Sequence, residues 1–423
     1  MTETFDLIVI GGGAAGFYAA ITCAEQSALY GASPRVLILE KSPRVLDKVR
    51  ISGGGRCNVT HHCFDPKRMA TNYPRGDKAL IGPLHRFGVT ETVAWFNDHG
   101  LTLKTEADGR MFPTTDNSQS VIDVLRGAAD AAGVNVRTRA AVRSIEALEV
   151  SDPTHPRFEV TLRGDATLRA HHVVLATGGA RSGGGAELAR QLGHRLIEPV
   201  PSLFTFHVDD WRIRDLQGLA VDPVAVRIDE ANLKNEGPLL ITHRGFSAPA
   251  ILKLSAWGAR ALHELDYTFT LSVDWLHGED PAPTFAALRK EAGTRHVHTR
   301  SPFDAIPKRL WQRLVAAARI DEQQTWATLQ AGPRDALIAQ LTDARFKVTG
   351  KSTHKDEFVT AGGVPTDDVD MRTMESRICP GAFIAGELLD VDGVTGGFNF
   401  QNAWTTGHLA GTAIALSLLE RTG

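Results

Sequence analysis

The sequence predicts an α/β fold, built on an open parallel sheet and interrupted by a second, strand-rich region. Three observations carry this. A short apolar run, Phe5-Asp6-Leu7-Ile8-Val9-Ile10, passes directly into Gly11-Gly12-Gly13-Ala14-Ala15-Gly16 and then into Ala19, Ala20, Ile21 and Ala24 at helical spacing. Two more apolar runs, Val173-Val174-Leu175-Ala176-Thr177 and Ala382-Phe383-Ile384-Ala385, also end in glycine, at Gly178-Gly179 and Gly386. Between them, from about 203 to 275, strand-like stretches succeed one another without a crossover helix between each pair.

The first element reads as strand, glycine turn, helix. Gly11 permits the tight turn, Gly13 lets backbone approach a pyrophosphate, and Gly16 lets the helix pack closely on the strand, while the helix start offers N–H groups and a positive dipole end. The second strand, Arg35-Val36-Leu37-Ile38-Leu39, ends in Glu40, with Lys41 next to it. An acidic side chain there accepts hydrogen bonds from both hydroxyls of an adenosine ribose, so the expected ligand is FAD or NAD rather than NADP.

The chain after this second strand departs from a regular βαβ repeat. Lys48-Val49-Arg50-Ile51-Ser52-Gly53-Gly54-Gly55-Arg56-Cys57-Asn58 reads as a second backbone cradle, with N–H, hydroxyl, guanidinium and amide donors suited to a pyrophosphate or to the O4/N5 edge of a flavin. The strand ending at Ala176-Thr177-Gly178 and the one ending at Gly386-Glu387 place glycine at carboxyl ends, the edge where open parallel sheets bind ligands. A last cluster, Gly393-Val394-Thr395-Gly396-Gly397-Phe398-Asn399, precedes a helix running to about Leu419, with Gly407 and Gly411 on one face. The N–H groups at its start suit the pyrimidine edge of a flavin, where reduction accumulates negative charge.

These motifs resemble the YhiN/BaiN-type FAD-dependent oxidoreductase family, whose members include an aminoacetone oxidase and a bile-acid reductase. The resemblance runs through Ile51 to Thr60, Gly109-Arg110-Met111-Phe112-Pro113, Ala176 to Gly179, Thr242-His243-Arg244-Gly245-Phe246-Ser247-Ala248-Pro249-Ala250-Ile251, Val359 to Val364 and Gly386 to Gly393. It implies a Rossmann-like FAD-binding domain in two segments, 1–200 and 350–423, interrupted by a β-barrel substrate domain at 201–280 and 344–349 that carries a helical insert at 281–343. The strand-like stretches Leu203 to Val208, Val224 to Ile228 and Tyr267 to Val273, the boundary Pro281-Ala282-Pro283 and the helical spacing of Phe285, Leu288, Leu310, Trp311 and Leu314 agree with that split. The expected cofactor-binding set is Gly11, Gly13, Ala14, Ala15, Gly16, Glu40, Lys41, Lys48, Ser52, Gly53, Gly54, Gly55, Arg56, Cys57, Asn58, Val142, Ala176, Thr177, Gly178, Gly386, Glu387, Gly397, Phe398 and Asn399. Two departures stand out: the glycine loop after Gly179 is compressed to Ala180-Arg181-Ser182-Gly183-Gly184-Gly185-Ala186, and Ala248 occupies a position where relatives carry glycine.

Hydride transfer at flavin N5 needs no protein nucleophile, only positioning and a proton donor or acceptor within reach of a small-molecule substrate. His243, between an apolar run and the glycine turn at Gly245, is the catalytic candidate; a structural histidine in a strand-end turn is the competing reading. Two chemistries fit, an amine or alcohol oxidase and a reductase drawing on transiently bound NAD(P)H. Other classes stay open: an RNA-binding flavoprotein or a flavin sensor without turnover.

Charge and cysteine content narrow the partners. Lys plus Arg total 46 against 49 Asp plus Glu, so no global field draws the chain to nucleic acid or an anionic membrane. Locally, 289–319 holds eight Lys/Arg against Glu291 and Asp304, an alternative RNA-facing surface. Cys23, Cys57, Cys63 and Cys379 make no CxxC pair, which argues against a metal knuckle or disulfide framework and leaves Cys57 with Cys63 as the one conceivable redox pair. The start of the chain has no basic leader, and the apolar run Leu409 to Leu419 is shorter than the ~20 residues of a membrane span. The expected location is cytoplasmic.

Overall fold

A computed structural model describes residues 2–150, 152, 154–181, 184–352 and 359–422. Ser182 and Gly183, in the compressed glycine loop, lie outside the described residues. The chain divides into two compact units, residues 1–200 with 355–423, and residues 201–354.

The first unit is built on a nine-stranded mixed sheet. Its parallel core runs Ala382–Ile384, Thr167–Leu175, Glu3–Ile10, Val36–Leu39, Asn135–Arg137 across the sheet. Leu7 to Ile10 and Val36 to Leu39 are buried throughout, as expected of parallel strands covered on both faces. Antiparallel strands extend the sheet: Val369–Asp370 and Glu375–Ser376 beyond Ala382–Ile384, and Phe158–Leu162 and Val142–Ala147 as a meander from Thr167–Leu175. The first helix, Ala14–Ala28, packs against the last, Phe398–Thr422. A Cβ at Gly407 would sit 2.6 Å from the Ala15 carbonyl oxygen and one at Gly411 2.4 Å from that of Ala19, so the two helices meet backbone to backbone. A small antiparallel sheet, Thr60–His61 with Arg110–Pro113 and Leu103–Thr105, also belongs to this unit.

The second unit holds a seven-stranded antiparallel sheet. The segments at its two edges, Ala344–Val348 and Gly350–Lys351, are separated by a single residue, Thr349, so one bent stretch of chain borders both ends of the strand order. Phe204, Phe206, Phe246, Trp275 and Phe346 fill the interior. Strand boundaries differ from the sequence reading for a local reason. Leu203 has a left-handed φ of 56°, and of the expected strand Leu203 to Val208 only Phe206–His207 forms; Asp266 and Tyr267, also left-handed, delay the strand expected from Tyr267 to Phe269–Asp274. Two helices, Pro249–Trp257 and Ala259–Glu264, also stand between strands. The helices Ala282–Glu291, Lys308–Ala317 and Ala331–Thr342 come next, with Phe285, Phe303, Trp311 and Trp326 packed together. Among the described residues no helix is long and apolar enough to cross a membrane.

Candidate cofactor site

The parallel registers set Ile384, Leu175, Ile10 and Leu39 side by side. Ala385, Ala176, Gly11 and Glu40 therefore leave the sheet along one edge, each amide still bonded to the carbonyl of a neighbouring strand at 2.9–3.1 Å. That edge lies beyond the carboxyl ends of the strands, where open α/β sheets bind their ligands.

The first turn separates glycines that packing requires from one that it does not. A Cβ at Gly11, where φ is 115°, would lie 2.2 Å from the Ala176 carbonyl oxygen, and one at Gly16 would lie 2.0 Å from that of Gly11. At Gly13 φ is −94° and no protein atom lies within 4 Å of a Cβ. Packing makes no demand for glycine at 13, and the space beside it is open. The Phe17 amide is the first to find a helical acceptor, Gly13, so the N–H groups of Ala14, Ala15 and Gly16 are available to an anion. The Glu40 carboxylate is held in place, accepting from the Gly12 amide (2.9 Å) and from the Ser42 amide and hydroxyl (2.7 and 2.6 Å). Lys41 beside it is exposed. Val142 opens the strand Val142–Ala147, and the residues before it run alongside Glu40, with the Ala140 amide donating to the Glu40 carbonyl and Arg139 to that of Ser42.

The second cradle interrupts the helix Asp47–Gly55. Ser52 turns extended, and Gly53, Gly54, Gly55 and Cys57 all take left-handed φ, from 57° to 84°. Successive residues turned this way aim several N–H groups into one concavity, and nothing lies within 4 Å of a Cβ at Gly54 or Gly55. Ser52 donates its hydroxyl to the Val49 carbonyl. Arg56 stacks 4.0 Å over the Phe112 ring and pairs with Glu106 at 2.5 Å. Burial pushes the Cys57 thiol up to about 12, which removes it as a nucleophile at neutral pH, and Cys57 and Cys63 are both free thiols. Asn58 is buried, and its amide donates to the Met111 and Thr60 carbonyls and accepts from the Gly397 amide at 2.9 Å. It ties the cradle to the start of the last helix.

Around the central strand end, Gly178 takes a φ of 78°, and the Thr177 hydroxyl is buried with no hydrogen-bond partner among the described residues. Glu387, after Gly386, pairs with Lys48 at 2.5 Å and accepts from the Thr360 amide at 3.0 Å. At Gly397 φ is 96°, and a Cβ would lie 2.4 Å from the Thr60 carbonyl oxygen. Gln401 is the first residue of the last helix to find a helical acceptor, Gly397, which leaves the Phe398, Asn399 and Phe400 amides ahead of the hydrogen-bond ladder. Asn399 pairs reciprocally with the Gly393 backbone at 2.8 Å in each direction.

Three further residues belong to this environment, two of which escaped the sequence reading. His61 is a half-buried strand residue stacked on Phe398 at 4.8 Å, with Nδ1 3.1 Å from the Gly396 carbonyl oxygen. Tyr73 donates its hydroxyl to the Phe398 carbonyl at 2.6 Å, and Thr360 holds Glu387. The motif Val359 to Val364 pointed at Thr360; no local pattern marked the other two, whose partners lie more than 300 positions away. His243 is in the second unit, exposed at the two-residue turn between Leu233–Thr242 and Gly245–Ser247. Ala248 takes φ 80° and ψ 174°, a conformation that suits glycine.

The first unit thus presents donors and acceptors for a pyrophosphate and a ribose on one sheet edge, with helix N–H groups, a buried unpaired hydroxyl and two glycine cradles beside them. Among the described residues no group of three or more metal-ligating side chains occurs. The family model for the HI0933-like protein Rossmann domain matches residues 5–413. The chain is 31% identical to a ribosomal RNA dihydrouridine synthase of Escherichia coli (strain K12), covering 96% of each chain. It is also 31% identical to a 3-dehydro-bile acid delta(4,6)-reductase of Clostridium scindens, covering 96% of this chain and 98% of the relative. Among solved structures it is similar to a 3-ketosteroid delta1-dehydrogenase from Sterolibacterium denitrificans, with a TM-score of 0.53 at 13% identity, covering 98% of this chain and 100% of the other. This last likeness speaks to the fold alone.

Proposed function

The chain belongs to the HI0933-like protein Rossmann-domain family, and we propose that it is an FAD-dependent reductase of a carbon–carbon double bond conjugated to a carbonyl. The observation that carries the cofactor is the row Ala385, Ala176, Gly11, Glu40 along one sheet edge, with Gly13 open where a pyrophosphate would approach. FAD, when bound, supplies a hydride at flavin N5. The chain's own residues hold and polarise. The amides of Ala14 to Gly16 would hold the pyrophosphate, Glu40 would accept from the adenosine ribose, Ser52 to Arg56 and Thr177-Gly178 would donate to the rest of the cofactor, and the first amides of the last helix would offset negative charge on the reduced flavin. Gly11 and Gly16 keep the first turn tight enough for this.

The reductase reading draws on the two relatives at 31% identity, one named a dihydrouridine synthase and the other a delta(4,6)-reductase of a 3-dehydro-bile acid. Reducing equivalents come from transiently bound NAD(P)H, and His243 is the proton donor we would test first. Anaerobic NAD(P)H should bleach the bound flavin, and 2-cyclohexenone or uridine added without oxygen should restore its colour. Bleaching by amines or alcohols, with colour restored only by oxygen and with peroxide released, would establish an oxidase instead. A colourless protein that takes up no added FAD would end the flavin reading altogether.

A further inference from the structure

We propose that Lys48 and Glu387 form a charge clasp that selects a diphosphate flanked by hydroxyl groups, as in a dinucleotide, over a plain nucleoside diphosphate. The proposal rests on the FAD reading and adds to it what separates ligands that share adenosine and a diphosphate. Its basis is where the pair stands. Lys48 lies in the helix Asp47–Gly55, whose approach is fastened to the first turn by the Leu46 amide donating to the Gly12 carbonyl at 2.8 Å. Glu387 follows the strand Ala382–Ile384 and meets the Lys48 ammonium at 2.5 Å. A Cβ on Gly178 would lie 3.9 Å from both the ammonium and the carboxylate. The contact thus joins the segment after Leu39 to the segment after Ile384, and the ends of the two strands between them in the sheet order, Ala176 and Gly11, belong to the same edge.

The two partners are held differently. The Glu387 side chain is 17% exposed against 55% for Lys48, and its other oxygen accepts from the Thr360 amide at 3.0 Å. Gly179 leaves room for this, since a Cβ there would lie 2.8 Å from the carboxylate and 2.4 Å from the Thr360 hydroxyl. Lys48 sits on a flexible stem, and among the described residues Glu387 is the one carboxylate within ion-pair distance of it. The member free to change partner is the cation. A diphosphate offers that ammonium stronger acceptors than a single carboxylate does. Glu387 stays behind on Thr360, and a carboxylate can only accept. Beside a diphosphate it is repelled unless the ligand itself brings donors. The ribityl hydroxyls next to the diphosphate of FAD are such donors; ADP ends at its diphosphate and brings only further negative charge.

The test measures dissociation constants of ADP, ADP-ribose and FAD with the full FAD-free chain, the first two by calorimetry and the last by flavin fluorescence quenching. ADP-ribose carries hydroxyls beside the same diphosphate and no flavin, so it should bind the parent about fivefold more tightly than ADP. Glu387→Gln keeps an oxygen for the Thr360 amide and removes the charge. It should bind ADP at least about fivefold more tightly than the parent does and abolish the advantage of ADP-ribose. Lys48→Met should weaken all three ligands by about tenfold, and Lys48→Arg should restore most of the loss. Equal binding of ADP and ADP-ribose by the parent would overturn the proposal, and this comparison needs no variant to fold. A preference that survives Glu387→Gln would overturn it too, as would unchanged affinities in Lys48→Met. The two readings fail separately. A parent that binds FAD but does not distinguish ADP-ribose from ADP loses the clasp and keeps the cofactor; one that distinguishes them yet takes up no FAD does the reverse.

Discussion

At the residue scale, glycines that look alike in the sequence have different jobs. Gly16→Ala places a methyl 2.0 Å from the Gly11 carbonyl oxygen, so it should destabilise the fold by about 1–3 kcal/mol. Gly13→Ala meets open space at an ordinary φ; it should leave urea unfolding of the FAD-free protein within about 0.5 kcal/mol of the parent and weaken FAD binding in a fluorescence titration. A Gly13 variant that unfolds early but binds FAD normally would show that the turn is not the pyrophosphate cradle. Ala248 offers the opposite case, a side chain where the backbone wants none. Ala248→Gly relieves a conformation that costs roughly 1–3 kcal/mol, part of which returns as greater unfolded-chain freedom, so stability should rise by about 1 kcal/mol. An unchanged or lower unfolding midpoint would contradict the strain at that position.

Among the elements, the last helix and the loop leading into it depend on a buried charge. Asp392 is fully buried and takes a two-pronged contact from Arg75 across an isolated bridge between the two segments. Arg75→Met takes the guanidinium away from that buried carboxylate, and breaking a buried pair from one side costs about 3–5 kcal/mol. Arg75→Lys should recover only part of the loss, since an ammonium cannot reproduce the guanidinium fork. Guanidinium unfolding of both variants checks this; equal loss would mean that charge is irrelevant at this junction. Deeper in the same helix, Gln401 joins Thr60, Thr92 and Thr405 in a buried hydrogen-bonded chain. Such a network fixes how the helix enters, because each partner left unsatisfied would carry a desolvation penalty.

For the molecule as a whole, pH should act through buried histidines. Burial, with smaller help from Arg421, lowers His172 to about 3, and burial lowers His408 to about 4; His171 and His194 shift the same way for the same cause. Folded, these rings stay neutral where the unfolded chain, near the ordinary value of ~6.5, already takes up protons. Their contribution to stability is therefore complete above about pH 6.5 and falls as pH drops, by up to ~1.4 kcal/mol per unit for each ring. It levels off for His408 only below about 4 and for His172 below about 3. Urea unfolding between about pH 7 and pH 5, above the main carboxylate range, should show this slope, and His408→Leu should reduce it by close to one proton. A flat profile in the parent would show that these rings protonate in the native state.

The parallel sheet and the residues that leave its candidate edge were legible in the amino-acid order alone. Apolar runs that stop at glycine report burial on both faces and a sharp exit, and both are local properties of the chain. Glu40, the 11–16 turn and the start of the last helix could be read for that reason. The basic stretch 289–319 was legible too, as composition. Which donors remain free was settled by the packed molecule. Asn58 reads as a ligand donor until Met111, Thr60 and Gly397 are seen to occupy its amide, and Gly13 reads like Gly11 and Gly16 until each is given a Cβ. His61 beside Phe398, Tyr73 on the Phe398 carbonyl and Arg75 on Asp392 join positions more than 300 residues apart. Such pairings leave no periodic trace, because they depend on which strands become neighbours in the sheet, and that choice comes from burying the whole core rather than from any one stretch of chain.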